Sequence, residues 1–331
     1  MNEPLLTLKR VSKEFAVHSK IFSRKPLSKL VALDEVSFSI SPGQTLGLVG
    51  ESGCGKSTLA KIICRLEKPS GGEIHFQGRS LTALHREPLR HLRKHFQPIF
   101  QDPFGSLNPR FTVFDTLAEP LRLFGKTADP SAVISLLQKV GLGEELLVRY
   151  PHQLSGGQRQ RLGIARALSV EPELLIADEP LSSLDVSVQA QVLDLFLDLQ
   201  KELNLTLLFI SHDLRVVGHL SDQIMVMYLG RIMEIADTRE ILQSPRHPYT
   251  QALFEALPKL TPGRNRRRSI LQGDPPSPID PKPGCRFFNR CPYRQPPCKE
   301  YDNGLLEVSA RQKVACIRWD ALSLTGNSQG I

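Results

Sequence analysis

GESGCGKS, at residues 50–57, is the most informative stretch of this 331-residue chain. It has the spacing G-x-x-x-x-G-K-[ST] and lies between an apolar run at 45–49 and a helical pattern at 58–63. Glycines let such a loop turn its N–H groups towards phosphate oxygens, and the positive end of the following helix adds to the attraction. The residues expected to bind the nucleotide here are Gly50, Glu51, Ser52, Gly53, Cys54, Gly55, Lys56, Ser57 and Thr58.

Two residues of this loop have separate expected roles. Lys56 is expected to reach the β- and γ-phosphates, and the hydroxyl of Ser57 is expected to ligate Mg²⁺. An isolated match of this kind can be a glycine-rich turn that only joins a strand to a helix. Further motifs downstream favour the phosphate-binding interpretation.

Two apolar strands downstream end in polar residues. The run at 174–177 leads into Asp178 and Glu179, and the run at 207–210 leads into Ser211 and His212. The strand-end acid of such a fold belongs to the Mg²⁺ shell, so Asp178 is the candidate metal ligand. Glu179 faces the other way and is the candidate general base, which would polarise a water for attack on the γ-phosphate. His212 is expected at the same carboxyl edge of the sheet, where ligands of open α/β sheets bind.

The stretch LSGGQ at 154–158 precedes a helical pattern. Ser155 and Gln158 have the spacing of a helix capping box, which by itself explains both residues. It does not explain Gly156 and Gly157, because glycines weaken a helix start but allow a close approach of the backbone to an anion. The sequence therefore indicates a second anion-binding helix N-terminus.

Together these motifs resemble the nucleotide-binding subunit of ATP-binding cassette (ABC) transporters. The resemblance implies an α/β fold: a P-loop NTPase cassette with a RecA-like core, an antiparallel β subdomain and a helical subdomain. It identifies Gln101 as the glutamine-loop residue, with catalytic and Mg²⁺-binding roles, Asp185 as the D-loop aspartate and His212 as the switch histidine. It also implies that Ser155 to Gln158 contact ATP held by a second cassette, and that adenine stacks on an early aromatic residue, for which Phe15 is the candidate. The alternative for Phe15 is a core aromatic on an early strand.

Composition divides the chain into two parts. Residues 1–240 contain every nucleotide motif and are assigned to the cassette, with the helical subdomain at about 103–170. Residues 241–331 are assigned to a small, irregular C-terminal extension that is rich in proline. By resemblance, a groove beside residues 102–109 receives a coupling helix from a permease.

SPRHPYT at 244–250 resembles the C-terminal marker of the oligopeptide and dipeptide branch of these ATPases. The resemblance implies ATP hydrolysis that powers import of di- or oligopeptides. It further implies a second, different ATPase subunit, two transmembrane permease subunits and an extracytoplasmic peptide-binding protein. Relatives also carry nickel chelates, haem and antimicrobial peptides, so the substrate stays open.

No run of eighteen apolar residues is present, and Met1-Asn2-Glu3-Pro4 does not begin a signal-peptide pattern. The chain is therefore expected neither to span a membrane nor to be secreted, and the resemblance implies a peripheral location at the cytoplasmic face of the inner membrane. The formal net charge of +8 has local sources, and two basic clusters suit an anionic membrane surface. Their members are Lys20, Arg24, Lys25 and Lys29 in one loop, and Arg264, Arg266, Arg267 and Arg268 in another.

The same charge allows a function of another class, a soluble cassette ATPase that acts on nucleic acid or ribosomes. Such proteins usually carry long coiled coils or two cassettes in tandem. The sequence has neither heptad runs nor a repeated phosphate-binding loop. Binding to nucleic acid is therefore not expected.

Four of the six cysteines, Cys285, Cys291, Cys298 and Cys316, fall in the C-terminal extension. A segment that is poor in apolar residues often acquires a metal staple, and four thiolates suit Zn²⁺ or a [4Fe–4S] cluster. Their spacing matches no CxxC zinc ribbon and favours the cluster, as does the resemblance to the dipeptide branch. Zn²⁺ and unliganded thiols remain the alternatives. The expected role of this site is structural, without a part in hydrolysis.

Overall fold

The computed structural model describes residues 3–17, 28–256, 273–302 and 304–324. The side chains of Pro103 and Phe104 are not among the described groups. Most of the predicted basic clusters also lie outside the described residues, namely Lys20, Arg24, Lys25, Arg264, Arg266, Arg267 and Arg268.

The described part of the chain contains two β-sheets. The first is a four-stranded antiparallel sheet of order β2-β1-β4-β5. Its strands are β1 (Leu6–Val17), β2 (Ser28–Ile40), β4 (Gly71–Phe76) and β5 (Arg79–Ser80). This layer agrees with the antiparallel β subdomain expected from the sequence.

The second sheet has eight strands in the order β11-β12-β10-β9-β3-β8-β7-β6. They are β3 (Thr45–Val49), β6 (Phe96–Ile99), β7 (Leu174–Asp178), β8 (Thr206–Ser211), β9 (Gln223–Tyr228), β10 (Arg231–Asp237), β11 (Leu306–Ser309) and β12 (Gln312–Val314). The central strands β3, β7 and β8 pair in parallel and are buried at every residue. Continuous apolar runs are typical of parallel strands covered on both faces, so the sequence pattern and the burial agree.

In the described ranges, ten α-helices connect and cover these strands. They are α1 (Lys56–Ile63), α2 (Arg86–Leu92), α3 (Pro103–Ser106), α4 (Val113–Leu123), α5 (Pro130–Lys139), α6 (Gly156–Leu168), α7 (Val186–Leu203), α8 (Leu214–Leu220), α9 (Thr238–Gln243) and α10 (Pro248–Ala256). Short 3₁₀ turns occur at Arg93–His95, Glu144–Leu146, Pro151–Gln153, Phe288–Arg290 and Pro296–Lys299.

Helices α3 to α6 follow one another without an intervening strand. Local capping sets where they begin: Thr112 forms a capping box with Asp115 at the start of α4, and Asp129 caps α5 directly before Pro130. A proline at the first helical position costs no hydrogen bond, because that N–H has no intrahelical partner. These helices share one apolar core with strands of the large sheet.

The C-terminal extension is less irregular than its composition indicates. Its strand β12 pairs antiparallel with β10, and β11 pairs with β12, so the extension lengthens the large sheet by two strands. Phe287, Val314 and Ala315 are buried, and Phe287 and Ala315 belong to the core cluster of the large sheet. The extension therefore needs no separate core, since it uses the core of the cassette.

Candidate nucleotide site

The phosphate-binding loop connects β3 to α1, as the sequence predicts. Gly55 has φ of 112° and stands directly before the helix, in a backbone conformation that glycine adopts readily. A Cβ atom on Gly50 would lie 2.2 Å from the carbonyl oxygen of Met227, and one on Gly55 would lie 2.4 Å from that of Ala32. Both positions therefore require glycine because neighbouring backbone approaches the loop closely.

Lys56 lies within the loop with its side chain 4% exposed. Its Nζ donates to the carbonyl oxygens of Gly50, at 2.8 Å, and Glu51, at 3.1 Å. The ammonium group is thus held on the inner side of the loop, where a phosphate would enter.

Ser57 and Asp178 meet although 121 residues separate them in sequence. The hydroxyl of Ser57 donates to Oδ1 of Asp178 at 3.1 Å. Burial raises the pKa of the Asp178 carboxyl, while the hydrogen bond from Ser57 opposes that shift. A divalent cation beside these two oxygens would favour the ionised carboxylate, since it would neutralise the charge that burial disfavours.

Glu179 has three of the predicted site residues around its carboxylate. Its Oε1 lies 3.7 Å from Nζ of Lys56, and its Oε2 lies 3.2 Å from Nδ1 of His212. Gln101 approaches the same oxygen, with Nε2 at 3.5 Å. Glu179 also has a positive φ of 47°, a strained conformation for a residue other than glycine and one found preferentially at functional sites.

This arrangement can bind a triphosphate and act on water. A cation on the loop faces the phosphates, a serine and a carboxylate stand at the metal position, and a second carboxylate lies next to an imidazole. These groups come from the ends of β3, β6, β7 and β8, which adjoin one another in the sheet.

Phe15 lies on β1 and is 38% exposed, with Nζ of Lys13 at 4.7 Å from the ring centroid. The core-aromatic alternative is thus wrong for this residue. Stacking of the adenine base on this ring remains a prediction.

The second expected anion site begins α6. Ser155 and Gln158 form a reciprocal capping box, with Gln158 N–H at 3.2 Å from the serine oxygen and Ser155 N–H at 2.9 Å from the amide oxygen. The local interpretation of these two residues is correct. Gly156 is exposed, as is Asp185 at the start of α7, so both are accessible to another molecule.

Substitution of Gly156 and substitution of Gly157 would have different consequences. A Cβ on Gly156 would meet only Leu184 at 3.6 Å, an ordinary contact, whereas one on Gly157 would lie 2.6 Å from Val188. Gly157 is therefore required by packing of α6 against α7. Gly156 has no such requirement within the chain.

The four cysteines of the extension line one small cavity, together with His247 and Phe287. Burial raises the pKa of Cys285 to about 12 and that of Cys316 to about 11, and it also raises the pKa of Cys291. The free space is about 20 Å³, which is room for about one water molecule. Across the described ranges, no three His, Cys, Asp or Glu side chains are arranged to hold a metal ion. The expected [4Fe–4S] site is therefore not supported by the arrangement of these side chains.

Sequence reasoning missed two residues that touch the phosphate-binding loop from the extension. The hydroxyl of Tyr249 accepts the N–H of Glu51 at 3.0 Å, and the guanidinium of Arg290 binds the Glu51 carboxylate. Tyr249 was visible only as part of the SPRHPYT marker, and no local pattern distinguished Arg290 from the other arginines.

Taken together, the geometry defines a P-loop nucleotide-binding cassette. Residues 33–182 match the ABC transporter family, and residues 233–298 match the oligopeptide/dipeptide transporter C-terminal region. The chain is 49% identical over 321 residues to the oligopeptide transport ATP-binding protein AppF of Bacillus subtilis, covering 95% of this chain and 97% of that protein. It is 47% identical to the dipeptide transport ATP-binding protein DppF of Escherichia coli, covering 97% of this chain and 96% of that one.

Solved structures agree with this similarity. A dimeric ATP-binding cassette in a post-hydrolysis state, bound to ADP and Pi, superposes with a TM-score of 0.62 at 28% identity, over 71% of this chain and 99% of that one. The chain belongs to the ATP-binding subunits of ABC transporters that carry the oligopeptide/dipeptide transporter C-terminal region. ATP and Mg²⁺ are the ligands expected of this family. No helix in the described ranges has both the length and the apolar character to cross a bilayer.

Proposed function

We propose that this chain hydrolyses ATP to power the import of di- or oligopeptides through a membrane permease. The observation that carries the hydrolytic part is the convergence of Lys56, Gln101 and His212 on Glu179, beside the Ser57–Asp178 pair. The peptide substrate is supported by the C-terminal region and by the names of the relatives, which are oligopeptide and dipeptide transport proteins.

Each residue of the nucleotide site has a separate role in ATP binding or hydrolysis. The loop N–H groups and Lys56 bind the phosphates, while Ser57, Asp178 and Gln101 would hold Mg²⁺. Glu179 accepts a proton from the attacking water, and His212 donates to the γ-phosphate and orients Glu179. Phe15 stacks on the adenine ring from its exposed position on β1.

A second cassette completes the site. Ser155, Gly156, Gly157 and Gln158 present the exposed N-terminus of α6 to the γ-phosphate of ATP on the partner. Asp185 lies at the same surface, next to Val186, which is 82% exposed.

The partner cassette is a different subunit, and the pair works with two transmembrane permease subunits and an extracytoplasmic peptide-binding protein. The chain is held peripherally at the cytoplasmic face of the inner membrane by its permease. The relatives do not favour a role with nucleic acid or ribosomes. AppF and DppF are both named as transport proteins, and each matches this chain over nearly its whole length. Nickel chelates, haem and antimicrobial peptides are the alternative substrates of a transporter of the same class.

Reconstitution tests this proposal. The chain is co-expressed with its neighbouring cassette and permease subunits, and uptake of radiolabelled dipeptides into proteoliposomes is measured with ATP on the cassette side and binding protein on the other. Uptake that requires ATP and stops with Glu179→Gln supports the proposal. ATP hydrolysis that responds to DNA or ribosomes and not to peptide-loaded binding protein would overturn it.

We further propose that Cys285, Cys291, Cys298 and Cys316 hold a metal centre, a [4Fe–4S] cluster with Zn²⁺ as the alternative. Support comes from the donor set, since four thiols of one segment line one cavity. Binding would require the thiols to ionise, which a metal ion favours and burial alone opposes. The bound metal centre would cross-link the extension and stabilise its fold.

Anaerobic purification tests the metal centre. A brown protein with about four irons per chain is expected, and air should bleach it. Cys298→Ser should lose the iron, whereas Cys64→Ala, which alters the cysteine directly after α1, should retain it. Colourless protein with one zinc favours the alternative, and metal-free protein with a protease-resistant extension would overturn both.

A further inference from the structure

The C-terminal extension contacts the phosphate-binding loop through Arg290. Its Nη1 lies 2.7 Å from Oε2 of Glu51, and its Nη2 lies 3.0 Å from Oε1. The side chain of Arg290 is only 6% exposed, and that of Glu51 is 23% exposed. Two parallel N–H donors on one carboxylate form the strongest type of protein ion pair, and partial burial protects it from screening by salt.

The backbone of Glu51 is held from the same side. Its N–H donates to the hydroxyl of Tyr249 at 3.0 Å. The Tyr249 ring is fully buried and lies 4.7 Å from the ring of Tyr228 and 5.4 Å from that of Phe287, measured between centroids. The hydroxyl of Tyr228 also lies 3.3 Å from Nη1 of Arg290. Glu51 is thus fixed at its carboxylate by Arg290 and at its N–H by Tyr249, whose ring packs against Phe287 of the extension.

This contact has an electrostatic consequence for the nucleotide. Glu51 places a carboxylate on a loop that must accept the several negative charges of ATP. An unpaired carboxylate there would repel the phosphates, and in a half-buried position the repulsion is stronger than in water. The guanidinium of Arg290 neutralises the Glu51 carboxylate and fixes its orientation. Because the carbonyl oxygen of Glu51 also accepts from Nζ of Lys56 at 3.1 Å, a displaced Glu51 would also disturb the phosphate-binding lysine.

We propose that Arg290 is a positioning residue for ATP binding: by neutralising and fixing Glu51, the C-terminal extension raises the affinity of the phosphate-binding loop for ATP. This inference rests on the proposed ATP site. It gives the extension a part in ATP binding, since the residue directly before Cys291 binds the loop.

The test measures the Kd of a fluorescent ATP analogue with Mg²⁺ on the full-length chain. Arg290→Ala should raise the Kd by about tenfold, as expected when a nearby unit charge loses its partner. Arg311→Ala is the matched control, since Arg311 is an exposed arginine of the same extension that pairs with Asp237 and not with the loop. The Kd of the Arg311→Ala variant should stay within about twofold of the Kd of the unsubstituted protein.

A second experiment, in a protein whose residue 51 carries no charge, separates this electrostatic role of Arg290 from a purely structural one. In a Glu51→Gln protein there is no carboxylate to neutralise, so adding Arg290→Ala should raise the Kd by less than about twofold. A structural role of Arg290 would instead give the same loss in both backgrounds. If Arg290→Ala does not fold, Arg290→Lys keeps the charge, loses the bidentate geometry and should raise the Kd by about threefold.

An unchanged Kd for Arg290→Ala or Arg290→Lys, or an equal loss in the Glu51→Gln background, overturns the inference. Failure of the unsubstituted protein to bind the analogue would contradict the proposed function instead. The two failures are therefore distinguishable.

Discussion

Nδ1 of His212 lies 3.2 Å from Oε2 of Glu179, although 33 residues separate them in the chain. The contact exists because β7 and β8 are parallel neighbours, so their carboxyl ends lie side by side. Glu179 follows the end of β7 and His212 the end of β8. An imidazole next to a carboxylate at a strand end can orient the carboxylate and share a proton with it.

Glu179→Gln is expected to retain ATP binding and to stop turnover. The amide keeps the size of the side chain but cannot accept a proton, and loss of a positioned base typically costs about 10²–10⁴-fold in rate. Steady-state ATPase assays and a nucleotide-binding titration measure the two properties. Glu171→Gln serves as control, because Glu171 is 81% exposed and pairs with Lys126. Turnover above half the normal rate would rule out Glu179 as the base.

His212→Ala should depress ATP turnover while ATP affinity stays near normal, since the imidazole contacts Glu179 and lies apart from the loop carbonyls that hold Lys56. The expected reduction is about 10²-fold, within the range for proton-transfer and orienting groups. Exposed His219, at the end of α8, provides the matched alanine control. A loss of affinity as large as that of a Lys56 variant would show that His212 acts in binding.

Lys56→Ala should abolish nucleotide binding. The substitution removes the buried ammonium group that contacts the loop carbonyls and would face the phosphates. Fluorescent ATP titration checks this, with the exposed Lys68→Ala as control. Unchanged affinity in the Lys56 variant would contradict the assigned role.

Gly156→Asp should prevent ATP-dependent pairing of cassettes while each phosphate-binding loop still binds ATP. A Cβ at this position meets Leu184 at an ordinary contact distance of 3.6 Å, so a failure to pair reports on the added negative charge and bulk at the helix N-terminus. Size-exclusion chromatography with ATP, in a Glu179→Gln background and with the partner cassette, measures pairing. Gly163→Ala, which meets open space in the same helix, is the control. Normal pairing would leave Ser155 and Gln158 with a capping role alone.

Glu234→Ala should lower the stability of the fold by about 3 kcal/mol, because it leaves buried donors without an acceptor. The carboxylate of Glu234 is fully buried and accepts from the N–H groups of Arg246 and His247 and from Nε2 of Gln312. Urea unfolding measures the change. Glu307→Ala, at an exposed carboxylate of β11 that pairs with Lys313, should change stability by less than about 1 kcal/mol. Equal effects of the two substitutions would contradict this role of Glu234.

The motifs and the order of elements around the nucleotide were determined by the sequence alone. Whether a loop binds phosphate depends on glycines, a lysine and a serine within eight residues, and buried parallel strands appear as continuous apolar runs. The capping box at Ser155 and Gln158 is equally local, because its hydrogen bonds span three residues. Such features depend on near neighbours in the chain, so the sequence displays them directly.

Tertiary structure alone decided the contacts between the extension and the cassette. The Arg290–Glu51 pair spans 239 residues, and neither residue carries a local pattern that indicates the other. The same holds for β12, which joins the large sheet through β10, and for the four thiols that packing gathers around one cavity. These relationships arise from how buried surfaces fit together, and a shape complementarity of that kind is a property of the folded chain that no short segment encodes.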